Sequence, residues 1–155
     1  MRILGIDYGD SRTGIAVSDP MGWTAQGLEA VKGGAGAAAK RIAELARQYG
    51  AEKIVVGYPL NMDGTAGFRA ERTDAFISAL KAKIGAENAK NAGNTDIAGN
   101  AEVIKWDERL TSAEAARIMR ESGARPTARG VREKGSLDIL SASILLQSYL
   151  DSVRK

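Results

Sequence analysis

The residues best suited to chemistry in this chain are acidic, and they stand where predicted strands end or a helix begins. Asp7 closes a short apolar run, Asp107 and Glu108 close another, and Asp138 follows a segment rich in arginine. Functional groups of open α/β sheets gather at the carboxyl ends of the central strands. If these elements are neighbours, the carboxylates converge. Because like charges repel strongly, a divalent cation would then be needed to hold them together.

Such a cluster of carboxylates fits the hydrolysis of phosphodiester bonds. Two metal ions about 3.5–4 Å apart activate a water and stabilise the leaving oxygen, and this chemistry requires no histidine. The chain contains neither histidine nor cysteine. Their absence excludes Ser-His-Asp and thiol catalysis, as well as metal sites built on imidazole or thiolate. Sites made only of carboxylates favour hard ions, so we expect Mg²⁺ or Mn²⁺.

Each of these acids also has a purely structural explanation. Asp7 could begin a turn, and Asp138 could complement the dipole of a helix. Asp107 or Glu108 could pair with the neighbouring Arg109 at the surface. Adjacent residues of a strand point to opposite faces, so only one of Asp107 and Glu108 is expected to reach the cluster. The pattern alone does not decide which of the two it is.

A basic segment, GARPTARGVREKG at residues 123–135, holds four cations and one acid. Its net charge of +3 equals that of the whole chain. Its glycines and proline predict a loop. A basic loop can grip a phosphate backbone, and a solvated flexible loop is the alternative. Its cations are Arg125, Arg129, Arg132 and Lys134.

The length of 155 residues predicts one domain over residues 1–155 with a single core. No run approaches the roughly 18 consecutive apolar residues of a membrane span. The first residues are typical of a strand and not of a targeting segment. We therefore expect a cytoplasmic protein that does not bind a membrane. The sequence leaves its oligomeric state open.

The elements that must position these residues are predicted to follow the order β-β-β-α-β-α-β-α-α. This order predicts an α/β sandwich that begins with a β-hairpin. The segments RILGIDYG and TGIAVSD predict the hairpin, AQGLEAVK a third strand, EVIKW the last strand, and EKIVVGYPL a strand buried on both faces. Helical spacing predicts helices over 37–49, over 68–84, after the T-x-x-E pattern at Thr111, and from Ser136, as N-cap, to Val153. Residues 85–101 predict a flexible insertion, with loosely packed helical turns as the alternative.

Four segments in this order resemble the YqgF/RuvX family: GIDYGDSRTGIAVSD, VVGYPLNMDGTAGFRAERTDAF, DERLTSAEA and KGSLDILSASILLQSYL. The resemblance implies an RNase H-like fold, with a five-stranded mixed sheet whose first three strands are antiparallel. It also implies that Asp7, Glu108 and Asp138 are the catalytic residues and metal ligands, and so favours Glu108 over Asp107.

Two arginines, Arg12 and Arg109, also match motif positions of this family. We expect both to contact phosphate, because a guanidinium group offers it a bidentate fork. For Arg12, an ion pair with a neighbouring acid is the alternative.

The function that this resemblance implies is that of a nuclease. Members of the family are described as nucleases that mature the 5′ end of the 16S rRNA precursor, or as Holliday junction resolvases. We expect first an Mg²⁺- or Mn²⁺-dependent endonuclease acting on structured RNA, with a ribosomal subunit precursor as partner. Cleavage of branched DNA is the alternative, and it calls for a dimer. A non-catalytic RNA- or ribosome-binding module is another. An actin-like ATP-binding protein is disfavoured, because it needs two such lobes.

Overall fold

The computed structural model describes residues 2–59, 63–90, 101–107 and 130–154, and of residues 130–136 only the backbone. In these ranges, one sheet lies between two helices on one face and a single helix on the other. The elements are β1 (Arg2–Asp7), β2 (Arg12–Ser18), β3 (Ala25–Lys32), α1 (Ala35–Tyr49), β4 (Ala51–Tyr58), α2 (Phe68–Lys90), β5 (Glu102–Asp107) and α3 (Gly130–Val153). None of the helices in these ranges is long and apolar enough to cross a membrane.

The sheet has five strands in the order β3-β2-β1-β4-β5. The pairs β1–β2 and β2–β3 are antiparallel, whereas β4 runs parallel to β1 and β5 runs parallel to β4. This arrangement confirms the predicted mixed sheet with three antiparallel strands at its start. Because β1, β4 and β5 are parallel, all three end at one edge of the sheet, which we call the carboxyl edge.

Apolar side chains fill both faces of the sheet, and β4 contributes to each of them. Ile54 and Val56 belong to the core under α1 and α2, while Val55 between them belongs to the core under α3. All three are fully buried. The prediction that this strand is buried on both faces is therefore confirmed.

Three glycines let α3 lie directly on the sheet. A Cβ atom on Gly5 would stand 2.6 Å from the Cβ of Leu146, and one on Gly27 would overlap the side chain of Ile139. A Cβ on Gly14 would overlap the backbone carbonyl oxygen of Asp138. Because interiors are packed to crystal-like density, no larger residue fits at these positions unless α3 or its side chains move. The glycines therefore set how closely α3 approaches β1, β2 and β3.

The start of α3 differs from the prediction. The helix begins at Gly130, so Ser136 lies inside it and is not its N-cap. Residues 130–135 of the basic segment are thus helical and do not belong to a loop. Arginine, glutamate and lysine in this stretch favour the helix, and an interior glycine costs only about 1 kcal/mol relative to alanine.

The end of α2 also lies beyond its predicted position at residue 84. The helix continues to Lys90, so residues 85–90 of the expected insertion are helical. Alanine, glutamate and lysine in GAENAK are strong helix formers and outweigh the one glycine. Residues 91–100 of that insertion, and the helix predicted after Thr111, lie outside the described residues.

Side chains of α2 and β4 meet β5 in a polar cluster of three residues. The Lys105 Nζ lies 2.8 Å from the Asp74 Oδ1, and the Tyr58 hydroxyl donates a hydrogen bond of 2.7 Å to the Asp74 Oδ2. The hydrogen bond from Lys105, followed by that from Tyr58, lowers the pKa of Asp74 below its ordinary value of 3.8. A carboxylate with a lowered pKa in the folded state stabilises the fold above its unfolded pKa.

We expect Asp74→Asn to lower the free energy of unfolding at pH 7 by up to about 1 kcal/mol, because the ion pair is half exposed and screened by solvent. The difference from wild type should shrink as the pH falls from 3.8, the ordinary pKa, through the lower pKa that Asp74 has in the folded state, where the carboxylate is protonated. Urea unfolding at pH 7 and pH 3 measures both values. An equal difference at the two pH values would show that uncharged contacts, and not the ion pair, stabilise this cluster.

Candidate functional site

The carboxyl edge brings Asp7 and Asp138 together around Gly14. Ile3 packs in the core under α3 and Gly5 lies against α3, so alternation along β1 places Asp7 on the same face. Gly14 is the cross-strand neighbour of Asp7. The backbone of Asp138 packs on this same glycine. Two acids that are distant in the sequence thereby share one end of one sheet face.

Asp138 is a partly buried carboxylate, with 31% of its side chain exposed. Burial raises its pKa above the ordinary value, and the guanidinium of Arg12 opposes that rise. Asp138 is the ninth residue of α3. The field of a helix dipole falls off within the first turn, so it does not explain the presence of this acid. A partly desolvated carboxylate at the same end of the same sheet face as a second acid is a setting that fits a bound cation.

Arg12, at the start of β2, lies beside Asp138. Its Nε is 3.8 Å from the Asp138 Oδ2, which is an ion-pair distance too long for a hydrogen bond. The structure thus shows the predicted alternative for Arg12, a pair with a neighbouring acid. Contact between Arg12 and phosphate stays a prediction.

Asp107, the last residue of β5, lies on the face opposite to the acidic site. Trp106 packs against Tyr149 of α3, with the two ring centroids 5.4 Å apart. Lys105 instead pairs with α2 on the opposite face. By alternation, Asp107 shares the face of Lys105 and not the face of Asp7. Glu108 lies outside the described residues, and its role in the site stays a prediction.

The remaining predicted contacts with nucleic acid cannot be placed in the same way. Arg109, Arg125 and Arg129 lie outside the described residues, and Arg132 and Lys134 lie in the first turns of α3, where only the backbone is described. Their role stays a prediction.

The donors at the carboxyl edge suit a hard divalent cation. Asp7 and Asp138 supply carboxylate oxygens, which Mg²⁺ and Mn²⁺ prefer, and the chain contains no softer imidazole or thiolate ligand. In the part of the chain that the structure describes, no three acidic residues form a metal-binding group. The predicted third ligand, Glu108, is outside that part.

Sequence reasoning missed two arginines beside this edge, Arg69 and Arg72 in the first turns of α2. They line a small cavity against the turn that follows Asp7. The position of Arg69 near the predicted start of this helix was the available signal. Cations are disfavoured at the positive N-terminal end of a helix dipole, so an arginine there indicates a role other than helix stability.

Comparison with known proteins gives a consistent result along the whole chain. A family model described as "RuvX: Holliday junction resolvase" matches residues 1–152. A protein of Ruminiclostridium cellulolyticum is 46% identical, over 99% of this chain and 96% of that relative. One of Acetivibrio thermocellus is 47% identical, over 100% of this chain and 99% of that relative. Both carry the name "Putative pre-16S rRNA nuclease".

Two solved structures are similar in fold. RuvC of T. thermophilus, in complex with a Holliday junction substrate, superposes with a TM-score of 0.55 at 17% identity, covering 99% of this chain and 96% of that one. The Fowlpox virus resolvase, in complex with Holliday junction DNA, has a TM-score of 0.54 at 18% identity and full coverage of both chains (100%). At such identities these similarities show the fold alone, and they confirm the predicted RNase H-like fold.

Proposed function

This chain belongs to the RuvX family, and on that premise we propose that it is a metal-dependent endonuclease that hydrolyses phosphodiester bonds in structured RNA. The observation that carries the proposal is the convergence of Asp7 and Asp138 around Gly14 at the carboxyl edge. Two carboxylates on one face of a sheet end, in a chain without histidine or cysteine, support hydrolysis assisted by hard cations.

The substrate that we propose is the 16S rRNA precursor, cleaved in the maturation of its 5′ end and presented by a ribosomal subunit precursor in the cytoplasm. The support is the name shared by two relatives that are 46% and 47% identical over nearly their whole length. Branched DNA is the second candidate. It is favoured by the description of the matching family model and by the junction-bound structures of similar fold.

In the proposed mechanism, Asp7, Glu108 and Asp138 would hold Mg²⁺ or Mn²⁺. When bound, the cation supplies acidity to a nucleophilic water and neutralises the charge that develops on the phosphate. Arg12 keeps Asp138 in place and partly offsets the cost of burying it, which keeps this carboxylate available as a ligand. Arg12, Arg109 and the cations of the basic segment would hold the nucleic-acid backbone.

The test is cleavage of a 16S rRNA precursor fragment and of a four-way DNA junction, side by side, with Mg²⁺, Mn²⁺ or EDTA. We expect cleavage of the RNA with either metal and none with EDTA. Cleavage of the junction alone would replace the first candidate with the second. If neither is cut while RNA is still bound, the enzymatic proposal is wrong and the non-catalytic binding module takes its place.

A further inference from the structure

A small cavity opens at the carboxyl edge, on the face of the sheet opposite to Asp138. One wall is the turn that follows Asp7, formed by Tyr8, Gly9 and Asp10, and the other wall includes Arg69 and Arg72 of α2. Its volume is about 50 Å³. One or two waters take up about that volume, which is enough for the oxygens of a phosphate group to enter.

The side chain of Arg72 is held from two sides. It forms an ion pair with the carboxylate of Asp10, and its guanidinium carbon lies 4.4 Å from the ring centroid of Phe68. Phe68 remains 66% exposed and makes little use of its apolar surface for folding. Stacking on an aromatic ring orients a guanidinium group and leaves its fork of N–H donors available at the edge.

The cavity carries a net positive charge, and part of that charge lies near a helix N-terminus, where cations destabilise a fold. Arg69 lies in the first turn of α2, at the positive end of the helix dipole, which favours anions, and Arg72 follows in the next turn. Of the charged side chains that line the cavity, these two are cations and Asp10 is the one anion. The cluster therefore attracts a further anion, and paired arginines favour phosphate.

The cavity is rigidly connected to the acidic site. The Tyr8 ring stacks on Phe76 of α2, with the centroids 4.4 Å apart and the rings 6° from parallel. A Cβ on Gly9 would overlap the carbonyl oxygen of Arg12, so the turn is packed back on the start of β2. Asp7 faces α3 and the next residue faces α2. A strand of nucleic acid that crosses the end of β1 can thus contact both sites.

We propose that Arg69 and Arg72 form a phosphate-binding subsite that grips the substrate backbone beside the cleaved bond. The assignment rests on the proposed function for the identity of the anion, a phosphodiester of nucleic acid. Asp10 pairs with Arg72 in the absence of substrate, so it competes with phosphate for the same guanidinium group. Contacts of these guanidinium groups with phosphate oxygens would position the backbone and carry no sequence information.

The experiment measures binding of a fluorescein-labelled RNA hairpin with a single-stranded 5′ extension, by anisotropy in EDTA, over a range of KCl concentrations. The main variant is Arg69→Gln/Arg72→Gln in the full chain. The control is Arg47→Gln/Lys83→Gln, which removes the same charge from exposed positions away from the cavity. Thermal melting verifies that each protein is folded. Asp10→Asn is the third variant.

We expect the double arginine variant to bind on the order of tenfold more weakly than the control at 0.1 M salt. Its slope of log K against log salt should fall by roughly 1.4 to 1.8, the contribution of two phosphate contacts. Asp10→Asn should bind more tightly, on the order of threefold, because a competing negative charge is removed. A merely structural role of Asp10 would not strengthen binding.

Equal affinity and slope for the double variant and its control would overturn the subsite, and so would a wild-type protein that binds no RNA. Weaker or unchanged binding by Asp10→Asn would overturn the competition between Asp10 and phosphate. Since binding is measured in EDTA, these results are separate from cleavage. A wild-type protein that binds through these arginines but cuts nothing refutes the nuclease proposal and leaves the subsite standing.

Discussion

Replacing Asp7 with asparagine is expected to reduce metal-dependent cleavage of the precursor RNA by on the order of 10³-fold or more. The substitution keeps the size of the side chain and removes the charge that a divalent cation needs. Metal assistance contributes several kcal/mol to the stabilisation of the transition state, and each 1.36 kcal/mol changes the rate about tenfold. Binding of RNA in EDTA should persist, because Asp7 holds no phosphate in the proposed mechanism.

The matched control for this prediction is Asp107→Asn. Asp107 is also an acid at the carboxyl edge, but alternation along β5 places it on the face of Lys105 and α2. We expect this variant to cleave at nearly the wild-type rate, whereas Glu108→Gln should lose activity as Asp7→Asn does. Single-turnover cleavage at saturating metal measures all three. If Asp7→Asn cleaves as fast as wild type, the carboxylate site is not where the reaction occurs.

Adding one methyl group at Gly14 is expected to disturb both stability and activity. In Gly14→Ala, the new Cβ would overlap the carbonyl oxygen of Asp138. The atoms that it meets are backbone atoms of α3, which cannot move aside as a side chain can. Overpacking of this kind costs typically 1–3 kcal/mol, so we expect a loss of about 3 kcal/mol in the free energy of unfolding. Where the protein stays folded, a shifted α3 moves Asp138 away from Asp7, and cleavage should fall.

A glycine with open space around it provides the control. Gly36 lies in α1 with no atom near the position of a Cβ, so Gly36→Ala should raise the free energy of unfolding by about 0.5–1 kcal/mol. Urea unfolding monitored by circular dichroism compares the two variants. If Gly14→Ala is as stable as the wild type and cleaves at the same rate, the close packing of α3 on β2 is unnecessary for the site.

Much of the fold is predictable because its signals are local. The strands of the hairpin have mostly apolar, β-favouring centres, α1 has helical spacing and is capped by Gly50 in a left-handed conformation, and β4 has the continuous apolar run of a strand buried on both faces. The predicted start of α2 at Phe68 and end of α3 at Val153 are confirmed, whereas the predicted end of α2 and start of α3 are wrong, since favourable helix propensity extends beyond Gly85 in α2 and before Ser136 in α3. A single glycine is a weak stop signal when its neighbours favour the helix.

The composition alone restricted the metal sites that are possible, because a chain without histidine or cysteine holds a hard cation through oxygen donors. Tertiary structure decided which of those donors meet. The contact of Asp138 with Gly14, the placement of Asp107 on the opposite face and the pairing of Arg72 with Asp10 join residues that are distant in the chain. Periodicity describes one element at a time, whereas these contacts depend on how a helix docks on a sheet and on how closely glycine allows it to approach.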